Sequence, residues 1–428
     1  MEYCAKSKFD LDLAQYYIED MIKRTITNTC IELFNQYPII TITGPRQSGK
    51  TTLARNIFPD KPYVNLEFPN LRSFAINDPR GFLNNYPDGA ILDEVQRVPE
   101  LPSYLQGIVD EKKRNGLFVL TGSQQLEISQ SITQSLAGRT AMIKLLPLSI
   151  EELLTFSPAE TCTAMMFKGF YPGLHAHSIQ PHHFYANYFE TYLERDLRQL
   201  TLIENLTLFE KFVRLLAARA GNLLNNQGIA NDCGVTQPTV RKWVTLLEAS
   251  YIVFELPPFF RTIGKRLIKT PKIYFYDTGL LCFLLGIETE AHLASHPLRG
   301  AIFENCMVME LLKRRLNRAM RSNLFFYRDR AGNEIDVIAE NGSTLLPIEI
   351  KASQTSTIDF FKGLRLFKAL YPQEVHNGLV VYDGEAEPEI DICRFINWKN
   401  LDRAMNKTEK NDIEMLQETG EIDGTPEK

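Results

Sequence analysis

The run Gly44-Pro45-Arg46-Gln47-Ser48-Gly49-Lys50-Thr51 constrains this chain more than any other eight residues, because it reads G-x-x-x-x-G-K-[ST]. It follows Tyr37 to Thr43, a short apolar and β-branched run, and precedes Thr52 to Phe58, which reads as a helix. A strand that turns into a helix through glycines aims backbone N–H groups and the positive end of the helix dipole at one point. A phosphate fits that point. Lys50 then reaches the terminal phosphates, and Thr51 offers its hydroxyl to Mg²⁺. Gly44 through Thr52 are therefore expected to line a bound nucleotide.

Two further segments extend this reading. Ala90-Ile91-Leu92-Asp93-Glu94 is a buried-strand pattern ending in two acids, with Asp93 suited to hold Mg²⁺ and Glu94 to polarise an attacking water. Leu117 to Leu120 is a third apolar strand, ending at Thr121-Gly122-Ser123-Gln124. Polar groups at the carboxyl ends of successive strands are expected where the ligand of a parallel α/β sheet binds.

Gly44 to Leu53, Leu92-Asp93-Glu94-Val95-Gln96-Arg97-Val98-Pro99, Leu120-Thr121-Gly122-Ser123 and Ser135-Leu136-Ala137-Gly138-Arg139 together resemble a family of prokaryotic AAA+ ATPases. Members carry a C-terminal domain of uncharacterised function, and the resemblance runs to about residue 395. It implies ATP rather than GTP, a sensor role for Ser123, and contact of Arg139 with a γ-phosphate. It also suggests nucleotide contact for Arg195. Arg139 also fits an ordinary surface arginine at the start of a strand, and Arg195 a helix-surface ion pair.

A length of 428 residues calls for roughly two to four domains. The net charge of -5 is carried by residues 409–428, with seven acids and two bases, which read as an acidic, disordered tail. Two local clusters are basic. Arg261, Lys265, Arg266, Lys269 and Lys272 stand in one segment without an acid, and Leu311 to Arg330 holds seven bases against Asp329 alone. Such clusters suit phosphate, or simply a solvated face. The longest apolar stretch, Ile273 to Ile287, is interrupted by Asp277, so no membrane span is expected. Seven scattered cysteines without C-x-x-C, and a start without a basic end leading into an apolar run, suit a cytoplasmic protein. His175, His177, His182 and His183 read as loop histidines without zinc.

Farther along, Leu208 to Ala220 reads as an amphipathic helix. Gly228 to Val235 forms a glycine-containing turn, Thr236 caps a helix from Thr239 to Ala249, and Tyr251 to Leu256 is a strand. This order, followed by basic residues, reads as a winged helix-turn-helix, with Gln237, Thr239, Arg241 and Lys242 facing DNA. The alternative is a protein contact.

Last come Gly332 to Ala339 and Leu345 to Ser353. Period two sets Glu334 and Asp336 on one face of the first strand, and Glu349 and Lys351 on one face of the second. Asp336 and Glu349, with Glu304 from the helix Gly300 to Arg315, are expected to hold Mg²⁺ while Lys351 activates water. The pattern looks like the PD-(D/E)xK nucleases, with Ile335-Asp336 where Pro-Asp would stand.

The expected architecture is multidomain α/β. Residues 1–30 form a helical segment, 31–148 an AAA+ core with a parallel sheet, and 149–205 a helical lid. Residues 206–290 form a winged helix, 291–400 a restriction-endonuclease-like α/β domain, and 401–428 the tail. The expected partners are ATP, DNA and a second copy of the chain. The alternative function is a nucleotide-switched interaction module with an inactive nuclease-like domain.

Overall fold

The computed structural model describes residues 22–123, 135–158, 160–177, 179–193, 205–260, 269–390 and 392–418. Arg195 and the basic residues Arg261, Lys265 and Arg266 lie outside them. No helix among the described residues is long and apolar enough to cross a membrane.

The N-terminal unit begins with α1 (Thr27–Gln36), β1 (Ile39–Thr43) and α2 (Lys50–Ile57). There follow β2 (Tyr63–Asn65), β3 (Ile91–Asp93), α3 (Leu101–Lys112), β4 (Phe118–Gly122) and β5 (Thr140–Lys144). The five strands pair in the order β2-β3-β4-β1-β5, all parallel. β1 is buried at every residue, as its apolar run requires of a strand covered on both faces. Because the strands are parallel, the ends of β1, β3 and β4 emerge at one edge of the sheet.

A helical stretch continues through α4 (Ile150–Phe156) and α5 (Pro181–Tyr188) to α6 (Leu206–Ala217), α7 (Asn226–Cys233) and α8 (Gln237–Ala249). Asn226–Cys233, read from the sequence as a turn, is a helix of its own, and the turn is the three residues from Gly234, left-handed at φ 74°, to Thr236. The Thr236 side chain accepts the Thr239 N–H and caps α8. The hairpin of β6 (Val253–Leu256) and β7 (Lys272–Phe275) follows. His175 sits in a short helix, Pro172–Ala176, and His182 and His183 lie on α5, so these histidines are helical rather than in loops.

The C-terminal unit starts with α9 (Arg299–Leu316), then β8 (Leu324–Arg328), β9 (Glu334–Asn341) and β10 (Thr344–Lys351). After these come α10 (Lys362–Leu370), β11 (Gly378–Tyr382), β12 (Glu389–Ile390), β13 (Cys393–Asn397) and α11 (Leu401–Glu418). The sheet order is β12-β13-β11-β10-β9-β8. β8, β9 and β10 form an antiparallel meander, and β11 joins β10 in parallel after α10. One hydrophobic cluster runs unbroken from Leu146 through Phe212, Trp243 and Phe303 to Met405, so these segments share a core.

Residues 401–418 are not a disordered tail. Leu401, Ala404 and Met405 are buried on this core. Arg314, on the buried side of α9, pairs with Asp402 at 2.9 Å and Glu409 at 2.5 Å. The acidic composition hid a helix whose acids answer buried bases. Ending the chain at residue 400 would uncover this apolar face and orphan Arg314, a cost of about 5 kcal/mol. We expect a clearly lower melting temperature by calorimetry, whereas a disordered tail would leave it unchanged.

Candidate functional site

The loop Gly44 to Gly49 turns at the end of β1. At Gly44, φ is 148° and a Cβ would stand 2.1 Å from the Leu145 carbonyl oxygen, so only glycine fits there. Gln47 and Gly49 are left-handed, with φ of 61° and 91°, and α2 starts at Lys50. Alternating right- and left-handed residues beside a helix start make a concave set of N–H donors. The Lys50 ammonium is buried and donates to the carbonyls of Gly44 at 3.0 Å and Pro45 at 2.6 Å. Burial lowers its pKa to about 8, against the opposing pull of Glu94 and Asp93.

Asp93, at the end of β3, gathers the neighbouring strand ends. Its Oδ2 accepts from Thr51 Oγ1 at 2.9 Å and Tyr63 OH at 2.7 Å, and its Oδ1 accepts from Thr121 Oγ1. Thr51 and Asp93 thus stand together as a Mg²⁺ pair requires. Glu94 follows in the left-handed region at φ 56°, a strained conformation for a residue with a Cβ, and its carboxylate takes a hydrogen bond from Gln96 Nε2. Burial, opposed by Lys50 and reinforced by Asp93, raises the pKa of Glu94. Among the described residues, the buried hydroxyls of Ser48 and Ser123 have no hydrogen-bond partner. Two orphaned hydroxyls, a nest of N–H groups, an ammonium and a Thr–Asp pair at one sheet edge fit a nucleotide with Mg²⁺.

Arg139 does not join them. Its carbonyl takes the Ile39 N–H at the start of β1, at the opposite end of the sheet from the loop. Its guanidinium makes a two-point pair with Asp110 on α3, at 2.6 and 2.8 Å. The length of β1 separates it from the Gly44–Gly49 loop of its own chain.

Arg24, which no motif announced, holds the loop in place. Its Nη1 donates to the Ser48 carbonyl at 2.9 Å, its Nη2 to the Leu146 carbonyl at 2.7 Å and its Nε to Glu152 on α4 at 3.1 Å. Glu152 also completes the capping box of α4 with Ser149 and accepts the Thr25 N–H. A second tie leaves the end of β1, where Thr43 Oγ1 lies 3.0 Å from Tyr251 OH, the residue that turns from α8 toward β6.

A groove of about 890 Å³ opens between α8, the β6–β7 hairpin and β8. Arg241, Lys269 and Arg328 line it together with Gln237 and Thr245, and among the described residues Glu255 is the one acid on its wall. Lys242 is exposed on α8, and Thr239 is half-buried. The two basic clusters are less free than their composition suggests. Lys272, Lys313 and Arg314 are buried, and all three are paired with acids.

Glu304, Asp336, Glu349 and Lys351 converge. No group of three acidic, histidine or cysteine side chains among the described residues is arranged to hold a metal ion. Lys351 Nζ lies 2.5 Å from Glu349 and 3.5 Å from Asp336. Lys272 Nζ lies 3.1 Å from Glu304, 2.5 Å from Glu334 and 4.0 Å from Asp336. Burial opposes the charge on Lys272, and Glu304, Asp336 and Glu334 outweigh it, so its pKa rises above the ordinary lysine value. Burial and the Asp336 charge raise Glu349. The expected metal set Glu304, Asp336 and Glu349 thus has lysine ammonium groups among its carboxylates. Sequence reading placed Lys272 among the phosphate-binding bases and missed its role here.

Residues 36–154 match the AAA domain family. Residues 159–291 match a domain of unknown function (DUF8612), and residues 299–401 another (DUF4143). The chain is 31% identical over 350 residues to uncharacterized proteins of Mycobacterium bovis and Mycobacterium tuberculosis, covering 81% of this chain and 77% of each relative. A Walker-type ATPase of Pyrococcus abyssi resembles it in structure with a TM-score of 0.41 and 15% sequence identity, over 62% of this chain and 96% of that one.

Replacing Arg24 by Ala would leave Glu152 buried without its cation and two carbonyls without donors. We expect a loss of about 3–5 kcal/mol in a denaturant melt. The expected ATP affinity is weaker as well, because the Ser48 carbonyl is no longer anchored. A near-neutral variant would show that the loop is held by other contacts.

Proposed function

The chain belongs to the same family as the two mycobacterial proteins, with an AAA-type P-loop ATPase domain at its N-terminal side, and on that premise we propose that it hydrolyses ATP and uses the nucleotide state to govern nucleic-acid binding by its C-terminal half. The observation that carries the first part is the meeting of Lys50, Thr51, Asp93 and Glu94 at one sheet edge. Gly44 through Thr52 hold the phosphates. Lys50 leaves the carbonyls of Gly44 and Pro45 for the terminal phosphates, exchanging neutral acceptors for charged ones. Thr51 and Asp93 hold Mg²⁺, which supplies positive charge against that developing on the phosphates. Glu94 orients a water and draws off its proton, and its raised pKa suits the carboxyl to receive one. Ser123 contributes a hydroxyl. Arg139 faces away from this site, and an assembly of copies is the arrangement in which it would meet a nucleotide.

For the second part, the order α6, α7, Gly234 turn, α8 and hairpin supports a winged helix-turn-helix. The groove beside α8, with three bases and one acid among its described residues, suits a phosphate backbone. The Thr43–Tyr251 contact supports coupling, since any shift of the loop after β1 is felt at the turn between α8 and β6. The α9, β8–β9–β10, α10, β11 order supports a restriction-endonuclease-like fold. The lysine-filled carboxylate cluster argues for binding without cleavage. The same cluster favours a second reading, a nucleotide-switched protein-interaction module built on an inactive nuclease-like domain.

Lys50→Ala is expected to abolish measurable ATP binding in calorimetry. Glu94→Gln is expected to keep binding and lose turnover by about 10²–10⁴-fold. Equal turnover in Glu94→Gln would remove that residue from the mechanism. For nucleic acid, the double variant Arg241→Ala, Lys269→Ala should weaken duplex binding and lower its salt slope by about 2 units, close to one per lost phosphate contact. Absence of salt-dependent duplex binding in the parent would favour the interaction module.

A further inference from the structure

A heavily charged interior lies where the β6–β7 hairpin meets the C-terminal sheet, and the nucleotide chemistry uses none of it. Four carboxylates gather there: Glu304 from α9, Glu334 and Asp336 from β9, and Glu349 from β10. Clustered carboxylates repel one another and are costly to bury without a cation. In this protein the cation is covalently attached. We propose that Lys272 is a tethered substitute for a metal ion, and that it turns the nuclease-like carboxylate cluster into a clasp between the hairpin and the C-terminal sheet.

Three observations support this. First, the Lys272 ammonium is a compact charge with three donors, and it faces Glu334 at 2.5 Å, Glu304 at 3.1 Å and Asp336 at 4.0 Å while only 2% of the residue is exposed. A single positive centre surrounded by three carboxylates from two elements is the electrostatic arrangement a bound divalent ion would otherwise provide. Second, its backbone is fastened. Lys272 forms a bridge with Leu223, and Leu224 N–H donates to the Pro271 carbonyl at 2.8 Å. Tyr274, two residues on along the same strand, donates to Glu304 Oε1 at 2.6 Å, so the hairpin delivers two donors to one carboxylate. Third, several of the remaining oxygens are engaged, although Glu349 Oε2 is buried without a hydrogen-bond partner among the described residues. β9 and β10 pair regularly only as far as Val337 and Ile348, and beyond that point Asp336 Oδ2 accepts the Ile350 N–H at 2.8 Å. Lys351 faces Glu349 and Asp336, and Arg328 faces Glu334 at 3.4 Å. Three cations thus face four carboxylates, so most of the charge a metal would neutralise is met by side chains of the chain itself.

A chain with such a clasp does not need divalent cations for its C-terminal fold, and removing the lysine should create the metal site that it fills. The test uses the full-length chain without nucleotide, in an Asp93→Asn background so that the nucleotide site contributes no ligand. Mn²⁺ is titrated and free ion is counted by electron paramagnetic resonance. The expected result is no specific Mn²⁺ in this reference protein and one Mn²⁺ per chain in Lys272→Ala, bound at least about tenfold more tightly than any residual binding in the reference, a difference of about 1.4 kcal/mol. Adding Asp336→Asn should abolish the gain. If Lys272→Ala does not fold, Lys272→Gln, neutral and able to hydrogen-bond, replaces it with the same expectation. The proposal is overturned if the folded variant gains no Mn²⁺. It is equally overturned if the reference protein, with Lys272 intact, binds one Mn²⁺ that Asp336→Asn removes, and this arm decides the question even where neither lysine variant folds.

Discussion

Much of this molecule is organised by one helix that buries charge. Twelve of the eighteen residues of α9 are buried, and Glu310, Lys313 and Arg314 are among them. A buried ionised group must find a partner or forfeit several kcal/mol, so each one dictates what lies beside the helix. Glu310 accepts the Ile150 N–H at the start of α4, and burial, partly offset by Lys313, raises its pKa to about 7. Lys313 donates to the Leu148 carbonyl at 2.7 Å and lies over the Phe170 ring. Arg314 recruits α11 through Asp402 and Glu409. Nearer the start of α9, Asn305 exchanges hydrogen bonds with both backbone groups of Phe275 on β7. The segment after the P-loop sheet, the hairpin and the C-terminal helix are all positioned by the polar requirements of α9.

That arrangement bears on how a nucleotide signal could travel. α4, whose first N–H is bound by Glu310, carries Glu152, and Glu152 holds Arg24, which in turn holds the Ser48 carbonyl in the phosphate loop. Hydrogen bonds therefore run continuously from the loop to α9, and from α9 through Glu304 to Lys272 on the hairpin. The Thr43–Tyr251 contact is a shorter route to the same hairpin. Both routes end at elements that line the basic groove. Two rigid ties between a loop that binds ligand and a hairpin that borders another surface are the physical basis for the coupling proposed above.

The nucleotide site was legible because its chemistry is local. Gly44, Gly49, Lys50 and Thr51 lie within eight residues, and their roles follow from backbone conformation and a helix start. Asp93 and Glu94 were legible because a parallel sheet sends all its strand ends to one edge. The charge clusters misled, since counting bases does not tell a solvated face from a buried pair. Lys269 and Lys272 are three residues apart and equally basic in sequence, yet one is exposed and the other is among the most buried lysines of the protein. The acids of residues 401–409 looked like a tail for the same reason.

By itself the sequence determined the phosphate loop, the strand ends that complete it, and the convergence of Asp336, Glu349 and Lys351, because each depends on spacing along one or two neighbouring strands. Only the tertiary structure decided that Lys272 stands among Glu304, Glu334 and Asp336, which end of the sheet Arg139 occupies, and that Arg24 and Tyr251 bind the loop to the rest of the chain. These are contacts between residues tens to hundreds of positions apart. Their energies come from burial and charge pairing, which no local pattern of residues encodes.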